Sequence, residues 1–93
     1  MSIPRVSSAL KAVELQQLPP PLIIGERVNT QGSRKAKQMV LNDDFDGLVG
    51  LARSQVEEGA HCIDVCVATT ERADEKEFML KLVKKISLEV DAP

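Results

Sequence analysis

The sequence predicts an α/β protein with parallel strands. With 93 residues, the chain is expected to be the opening portion of a larger fold. Short apolar runs alternate with amphipathic helical segments in the order β-α-β-α. Continuous apolar runs are typical of parallel strands, and a helical crossover between two of them is expected to be right-handed. Two strands cannot close a barrel and leave unpaired edges, so further strands are expected beside them.

The N-terminal segment, residues 1–21, is predicted to be a helix followed by a proline-rich linker. Apolar residues recur at helical spacing behind a serine that can serve as N-cap, which predicts a helix over residues 7–18. The recurring apolar residues are Val6, Leu10 and Val13. Pro19-Pro20-Pro21 end this helix, because proline lacks the amide donor and restricts the residue before it. The domain proper is then expected over residues 22–93.

The first βα unit is predicted to begin with a buried-type strand over residues 22–25. A polar loop is expected over 26–33, followed by a helix from residue 34 to about 41. Residues 42–44 break this helix and cap the next one, which ends where Gly59 occupies the C′ position. The apolar stripe of that second helix consists of Phe45, Leu48, Val49, Ala52 and Val56.

The second βα unit is predicted to begin with a strand over residues 61–67, which is rich in β-branched residues. After a loop over 68–73, Asp74 and Glu77 resemble a capping box and predict the start of a helix. One face of this helix carries Phe78, Leu82, Ile86 and Val90. Residues 91–93 lie where a third strand is expected.

The composition argues against several classes of function. With two Phe, no Tyr, no Trp and a net charge of −2, the chain lacks the stacking platforms and the basic surface of nucleic-acid-binding proteins. No apolar run approaches the roughly 20 residues of a membrane span, and residues 1–17 lack a signal-peptide core, so we expect a cytoplasmic protein that does not bind membranes. Cys62 and Cys66 stand on one strand and are expected to be free thiols.

Polar side chains follow both predicted strands at their carboxyl ends, where parallel α/β folds bind ligands. Glu26 and Asn29 follow the first strand, and Asp64 and Cys66 close the second. A carboxylate can accept a pair of hydrogen bonds from an amidine-like edge, and an amide can both donate and accept. These residue types suit a neutral, flat heterocycle such as a pterin better than a phosphate.

Each of these residues also has an alternative role that is purely structural. Glu26 and Arg27 can pair with neighbours across the rim, and Asn29 can cap the loop that follows it. Asp64 interrupts an apolar strand, and a buried carboxylate requires a ligand or a fixed partner. Cys66 can serve as a small buried hydrophobic residue.

A zinc site and an anion site are two further alternatives. His61 is expected to point away from Cys62 and Cys66 on a strand, which disfavours zinc, and no metal is expected. The positive charge of the first half of the chain is concentrated at Arg34, Lys35 and Lys37. A solvated helix face explains this cluster, and contact with the glutamate tail of a folate is the functional alternative.

Two stretches carry a resemblance to a known family. Residues 23–35 (IIGERVNTQGSRK) and 57–67 (EEGAHCIDVCV) resemble the first two strands of the pterin-binding family. They are most similar to the methyltetrahydrofolate-binding domain of cobalamin-dependent methionine synthase and of methyltetrahydrofolate:corrinoid methyltransferases. The resemblance implies a (β/α)8 barrel of the TIM type, of which this chain holds the first two βα units. It also implies methyl transfer from N5 of methyltetrahydrofolate to the cobalt of a corrinoid, cobalamin, held by another domain or protein.

The resemblance further implies that Glu26, Asn29 and Asp64 line the pterin pocket. Cys66 stands where several relatives have Asn, so an amide hydrogen bond from this position is missing. No catalytic residue can be assigned. Dihydropteroate synthase shares the barrel, but residues 65–70 fit its second loop less well. The chain alone is expected to be inactive, because the pocket needs the remaining strands or a second chain. The alternatives to the enzyme interpretation are a non-catalytic barrel fragment and an interaction module, and the exposed strand edges also allow a homo-oligomer.

Overall fold

The computed structural model describes residues 3–93 and contains a small hairpin followed by a mixed α/β unit. The hairpin consists of β1 (Arg5–Ser7) and β2 (Ala12–Glu14). The α/β unit consists of β3 (Ile24–Asn29), α1 (Arg34–Leu41), α2 (Phe45–Glu57), β4 (Cys62–Cys66) and α3 (Glu75–Glu89). None of the helices in the described part of the chain has the length and apolar character that a membrane crossing requires.

Strands β3 and β4 pair in parallel, which confirms the predicted strand direction. The register places Val28 opposite Val65 and Asn29 opposite Cys66. Between Gly25 and Val28 the register shifts, because β3 contains a bulge there. The β-α-β order therefore positions the ends of both strands side by side.

The three helices pack on one face of this pair. Val28 and Val67 are buried there against the helices, and Ile63 and Val65 pack against the same core. The helices contribute Ala36, Val40, Leu48, Val49, Ala52, Phe78, Leu82 and Ile86. On the opposite face Ile24 is 49% exposed, and no helix of residues 3–93 covers it. The prediction that the first strand is covered on both faces is therefore wrong for the described part of the chain.

The predicted N-terminal helix is wrong, because residues 5–14 form an antiparallel hairpin. The Ser8 hydroxyl accepts a hydrogen bond from the Lys11 amide at 3.1 Å and closes the turn, while Val6 pairs with Val13 across the strands. Val13 is buried, whereas an isolated helix of about twelve residues is marginal in water. Cross-strand valine packing therefore replaces the helical periodicity.

The first strand also begins later and runs further than predicted. It spans Ile24–Asn29 instead of residues 22–25, so the loop shortens from 26–33 to the four residues before α1. The strand continues through the polar residues Glu26 and Arg27, which form its bulge. These two residues lie opposite a single residue of β4, so the regular alternation of side chains between the two sheet faces is interrupted there.

The helices agree with the predicted boundaries. Helix α1 covers residues 34–41 as expected, α2 carries the predicted stripe, and Gly59 has a φ of 109°, which a glycine tolerates after a helix. Helix α3 begins after Asp74 as expected, but the capping box is wrong. The Asp74 side chain makes no cap hydrogen bond, since its carboxylate binds Arg72 instead.

The C-terminal residues approach the free edge of β4. The amide of Ile63 donates to the carbonyl of Pro93 at 2.8 Å, on the side of β4 away from β3. Val90 and Ala92 are buried next to this contact. Residues 91–93 thus take the place predicted for a third strand, although they form one ladder bond and no strand.

Candidate functional site

The carboxyl ends of β3 and β4 bring two predicted site residues together. Asn29 is the direct pairing partner of Cys66, so their side chains share one sheet face at a strand spacing of about 5 Å. Asp64 lies two residues before Cys66 on the same face, about 7 Å along the strand. This is the face opposite to the helices, because the alternating residues Ile63 and Val65 pack on the core.

Glu26 lies apart from this group, at the bulge. Glu26 and Arg27 together occupy the space opposite Asp64, and both are exposed. The Arg27 guanidinium pairs with Glu58 at 3.0 Å, and its backbone amide donates to Oε1 of Gln55 at 2.8 Å. Glu26 lines a shallow groove along the unpaired edge of β3. Arg27 therefore pairs with the C-cap residue of α2, and the Glu26 side chain forms no hydrogen bond or ion pair with residues 3–93.

Asn29 holds the turn that follows its own strand. Its Oδ1 accepts hydrogen bonds from the amides of Gln31 at 2.8 Å and Gly32 at 3.2 Å. Both donors are backbone N–H groups, so the atom facing them must be the oxygen. The Nδ2 group makes no hydrogen bond within residues 3–93 and reaches solvent. Asn29 thus caps the loop and still presents two N–H donors.

Asp64 is exposed, so the expectation of a buried carboxylate in this strand is wrong. It forms neither a hydrogen bond nor an ion pair with any residue of the described chain, and its two oxygens are open to solvent. The reason is that the sheet face on which it stands is uncovered there. The carboxylate can therefore accept hydrogen bonds from a ligand without losing a protein partner.

The two cysteines are free thiols, as predicted, and both are half-buried. Burial raises the pKa of the Cys62 thiol. His61 uses Nδ1 to accept a hydrogen bond from the Ile23 amide at 2.9 Å. Across residues 3–93 no three His, Cys, Asp or Glu side chains come close enough to hold a metal ion.

The loops after the two strands are joined by hydrogen bonds. The amide of Thr30 donates to the Cys66 carbonyl at 3.0 Å and so extends the ladder beyond β3. The hydroxyl of Thr30 and, at 2.9 Å, the Nε2 group of Gln31 both donate to the Ala68 carbonyl. Because Thr30 is buried, this junction holds the loops after β3 and β4 together next to Asn29 and Cys66.

Glu71 carries the strongest carboxylate perturbation near the strand ends. Hydrogen bonds from Thr69 and from the Lys37 ammonium, whose nitrogen lies 3.0 Å away, lower the pKa of Glu71 to about 2. The Lys37 charge is thereby committed to this loop. The other two members of the predicted basic cluster, Arg34 and Lys35, are exposed on α1.

Arg72 is a residue that the sequence reasoning missed. Its side chain is 17% exposed and binds the Val40 carbonyl, Asp43 and Asp74 at once. The only signal in the sequence is an Arg placed two residues before the acidic helix start, a spacing that suits many surface pairs. Its partner in the α1–α2 connection is 29 residues away and could be found only from the fold.

Comparison with known proteins identifies the family to which the chain is similar. The family model described as pterin binding enzyme matches residues 25–92. A methionine synthase of Mycobacterium leprae (strain TN) is 38% identical over 64 residues, which cover 69% of this chain and 5% of that protein. A methionine synthase of Mycobacterium tuberculosis (strain ATCC 25618 / H37Rv) is 32% identical over 90 residues, covering 94% of this chain and 8% of that protein.

These matches confirm the resemblance predicted from residues 23–35 and 57–67. The matched region contains β4, the three helices of residues 3–93 and all of β3 except Ile24. The chain spans less than a tenth of the length of either methionine synthase. The chain belongs to the pterin-binding enzyme family, with a pterin-binding domain of the methionine synthase type.

Proposed function

We propose that this chain forms one wall of a methyltetrahydrofolate pocket in a protein that transfers the N5 methyl group to a corrinoid cobalt. The observation that carries the proposal is the pairing of Asn29 with Cys66 at the carboxyl ends of two parallel strands, with Asp64 on the same open face. The similarity to two methionine synthases supports the substrate class. The corrinoid is assigned to another domain or protein, as the family resemblance implies.

The chemistry of the donor set fits a pterin. The Nδ2 group of Asn29 offers N–H donors to a ring nitrogen or to the lactam oxygen. The exposed carboxylate of Asp64 can accept a pair of hydrogen bonds from a ring N–H and an exocyclic amino group. A phosphate fits less well, because the only charged side chain of this trio is a carboxylate.

The residues of this chain would then bind and orient the substrate. When bound, methyltetrahydrofolate supplies the methyl group and the corrinoid supplies the metal that accepts it. Asn29 and Asp64 hold the ring edge so that the methyl group faces the opening of the pocket, which lowers the entropic cost of the in-line approach. Glu26 is assigned to the polar network at the rim. Glu71, whose pKa is about 2, is ionised at neutral pH and has no proton to donate.

A second candidate function is that of a barrel segment which binds no ligand until a further chain or segment joins it. The uncovered sheet face and the contact of Ile63 with Pro93 at the β4 edge favour this candidate. On this view the remaining strands supply the opposite wall of the pocket. The two candidates differ in whether the side chains of Asn29 and Asp64 contact the pterin once the barrel is complete.

Calorimetric titration of methyltetrahydrofolate tests the proposal. We expect no measurable binding by residues 1–93 alone and saturable binding once the rest of the barrel is supplied, as a continuation of the polypeptide or as a separate chain. In the completed domain Asn29→Ala should weaken the affinity about tenfold, because a buried hydrogen bond to the ligand is lost. Unchanged affinity of this variant, or no binding by the completed domain, would overturn the proposal.

A further inference from the structure

Arg72 connects the loop after β4 to three other parts of the molecule. Its Nη1 group donates to the Val40 carbonyl at 2.6 Å and to Asp43 at 2.7 Å. Its Nε and Nη2 groups bind both oxygens of Asp74, at 2.8 and 2.7 Å. Four hydrogen bonds from one guanidinium fix the orientation of this side chain far more firmly than a single surface ion pair would.

The Arg72 guanidinium also lies over one ring of a stacked pair of phenylalanines. The Arg72 guanidinium carbon lies 4.8 Å from the centroid of the Phe78 ring, and Phe78 stacks on Phe45 at 4.5 Å. Phe78 is part of the buried core. The loop is therefore attached to the core through Arg72, as well as to the carboxyl end of α1, whose last carbonyls carry partial negative charge.

The same loop leads back to the candidate site. It begins at Ala68, whose carbonyl accepts hydrogen bonds from Thr30 and Gln31. The backbone amide of Gln31 donates to Oδ1 of Asn29, which leaves Nδ2 of Asn29 free of hydrogen bonds to residues 3–93 and in contact with solvent. Gln31 thus links the loop that Arg72 anchors to the amide that we assign to the pterin, through its side chain on one side and its backbone amide on the other.

The geometry favours this attachment over an ordinary helix cap. Asp74 stands at the N-cap of α3 and would normally bind the first free amides of the helix. Its carboxylate binds Arg72 in a bidentate arrangement instead, so the cap hydrogen bond is given up for the loop contact. A lysine could not reproduce this planar arrangement of donors.

We propose that Arg72 is a positioning residue for the pterin site, which holds the loop after β4 so that Gln31 keeps the Asn29 amide in its ligand-facing orientation. This inference rests on the proposed function and adds a residue that does not touch the substrate. The affinity for the pterin then depends on the contacts of Arg72, which lie on the helix side of the sheet and away from the ligand face.

Two variants and a control test the proposal. Arg72→Lys removes the bidentate contact, and Asp43→Asn removes one ion pair while keeping a residue that tolerates the φ of 53° at this position. Arg53→Lys is the matched control, because the one side-chain hydrogen bond of Arg53 to residues 3–93 goes to the Glu89 carbonyl at the end of α3. Hydrogen exchange is measured on the 93-residue chain, and methyltetrahydrofolate affinity on the completed domain.

We expect Arg72→Lys to accelerate amide exchange at Gln31 and Gly32, to leave the interior of α2 protected, and to weaken the affinity about tenfold. Asp43→Asn should show both effects to a smaller degree, and Arg53→Lys neither. Faster exchange with unchanged affinity would make Arg72 merely structural, and unchanged exchange would remove the link to Asn29. Both results overturn the inference.

Failure of the proposed function gives a different result. If the wild-type completed domain binds no methyltetrahydrofolate, the pterin assignment fails, and Arg72 loses its role at a pterin site. The exchange data on the chain alone would still decide whether Arg72 orders the turn at Gln31 and Gly32. The two failures are therefore distinguishable.

Discussion

Asn29 combines a structural and a ligand-facing role in one amide group. Its oxygen holds the turn at Gln31 and Gly32, and its nitrogen remains available at the strand end. In the sequence Asn29 follows the first predicted strand, and the ligand-binding role and the loop-capping role are predicted there as alternatives. Which atom serves which role depends on where two backbone amides lie, and this follows only from the folded turn.

Asn29→Asp separates these two roles. The aspartate keeps an oxygen for the two backbone amides and replaces the Nδ2 donors with a second oxygen. We expect the melting temperature to stay near that of the wild type, while the affinity of the completed domain for methyltetrahydrofolate falls at least as far as in Asn29→Ala. Calorimetry and thermal unfolding measure the two quantities. Wild-type affinity in Asn29→Asp would show that the donors do not face the ligand.

The carboxyl group of Glu71 predicts an unusual pH dependence. Its pKa lies near 2, below the ordinary value of 4.5, because Thr69 and Lys37 stabilise the charged form. The contact with Lys37 therefore contributes fully above about pH 4.5 and is lost as the pH falls towards 2. Carbon-detected NMR titration should show Glu71 ionised at pH 4, with Glu71→Gln as the reference. A midpoint near 4.5 would contradict the geometry of this loop.

At the scale of elements, periodicity predicts the helices better than the strands. Residues 34–41 and the apolar face of α3 match their predictions because several apolar positions recur over two or more turns. For the predicted N-terminal helix only Val6, Leu10 and Val13 recur at helical spacing, which is too few positions to separate a helix from a hairpin. The pairing of Val6 with Val13, which is buried, decides for the hairpin, and the spacing of apolar residues does not encode this pairing.

The buried face of α3 gives a matched pair of stability predictions. Leu82 is fully buried in the core, whereas Leu80 on the same helix is 63% exposed. Leu82→Ala should lower the free energy of unfolding by roughly 2–5 kcal/mol, because it removes buried methyl groups and leaves a cavity. Leu80→Ala should change it by less than about 1 kcal/mol. Urea denaturation measures both, and equal effects would contradict the assigned helix face.

At the scale of the whole molecule, the parallel order follows from the sequence, but the completeness of the site does not. The β-α-β order predicts that Asn29 and Cys66 meet at one sheet edge, and the register places them as direct partners. Glu26 departs from the regular alternation because a bulge is a two-strand property that one strand's sequence does not encode. In the barrel that we propose, the open face bearing Asp64 is the inner face, and other strands supply the opposite wall of the pocket.

The NMR signals of the Asn29 side-chain amide test the central claim most directly. The chain is labelled with ¹⁵N and combined with the remaining barrel strands, and methyltetrahydrofolate is then added. If the strand ends of β3 and β4 form a wall of the pterin pocket, the two Nδ2 protons should shift and exchange more slowly with water on binding. Saturable binding of the ligand that leaves both proton signals unmoved would place the pterin elsewhere and contradict the account.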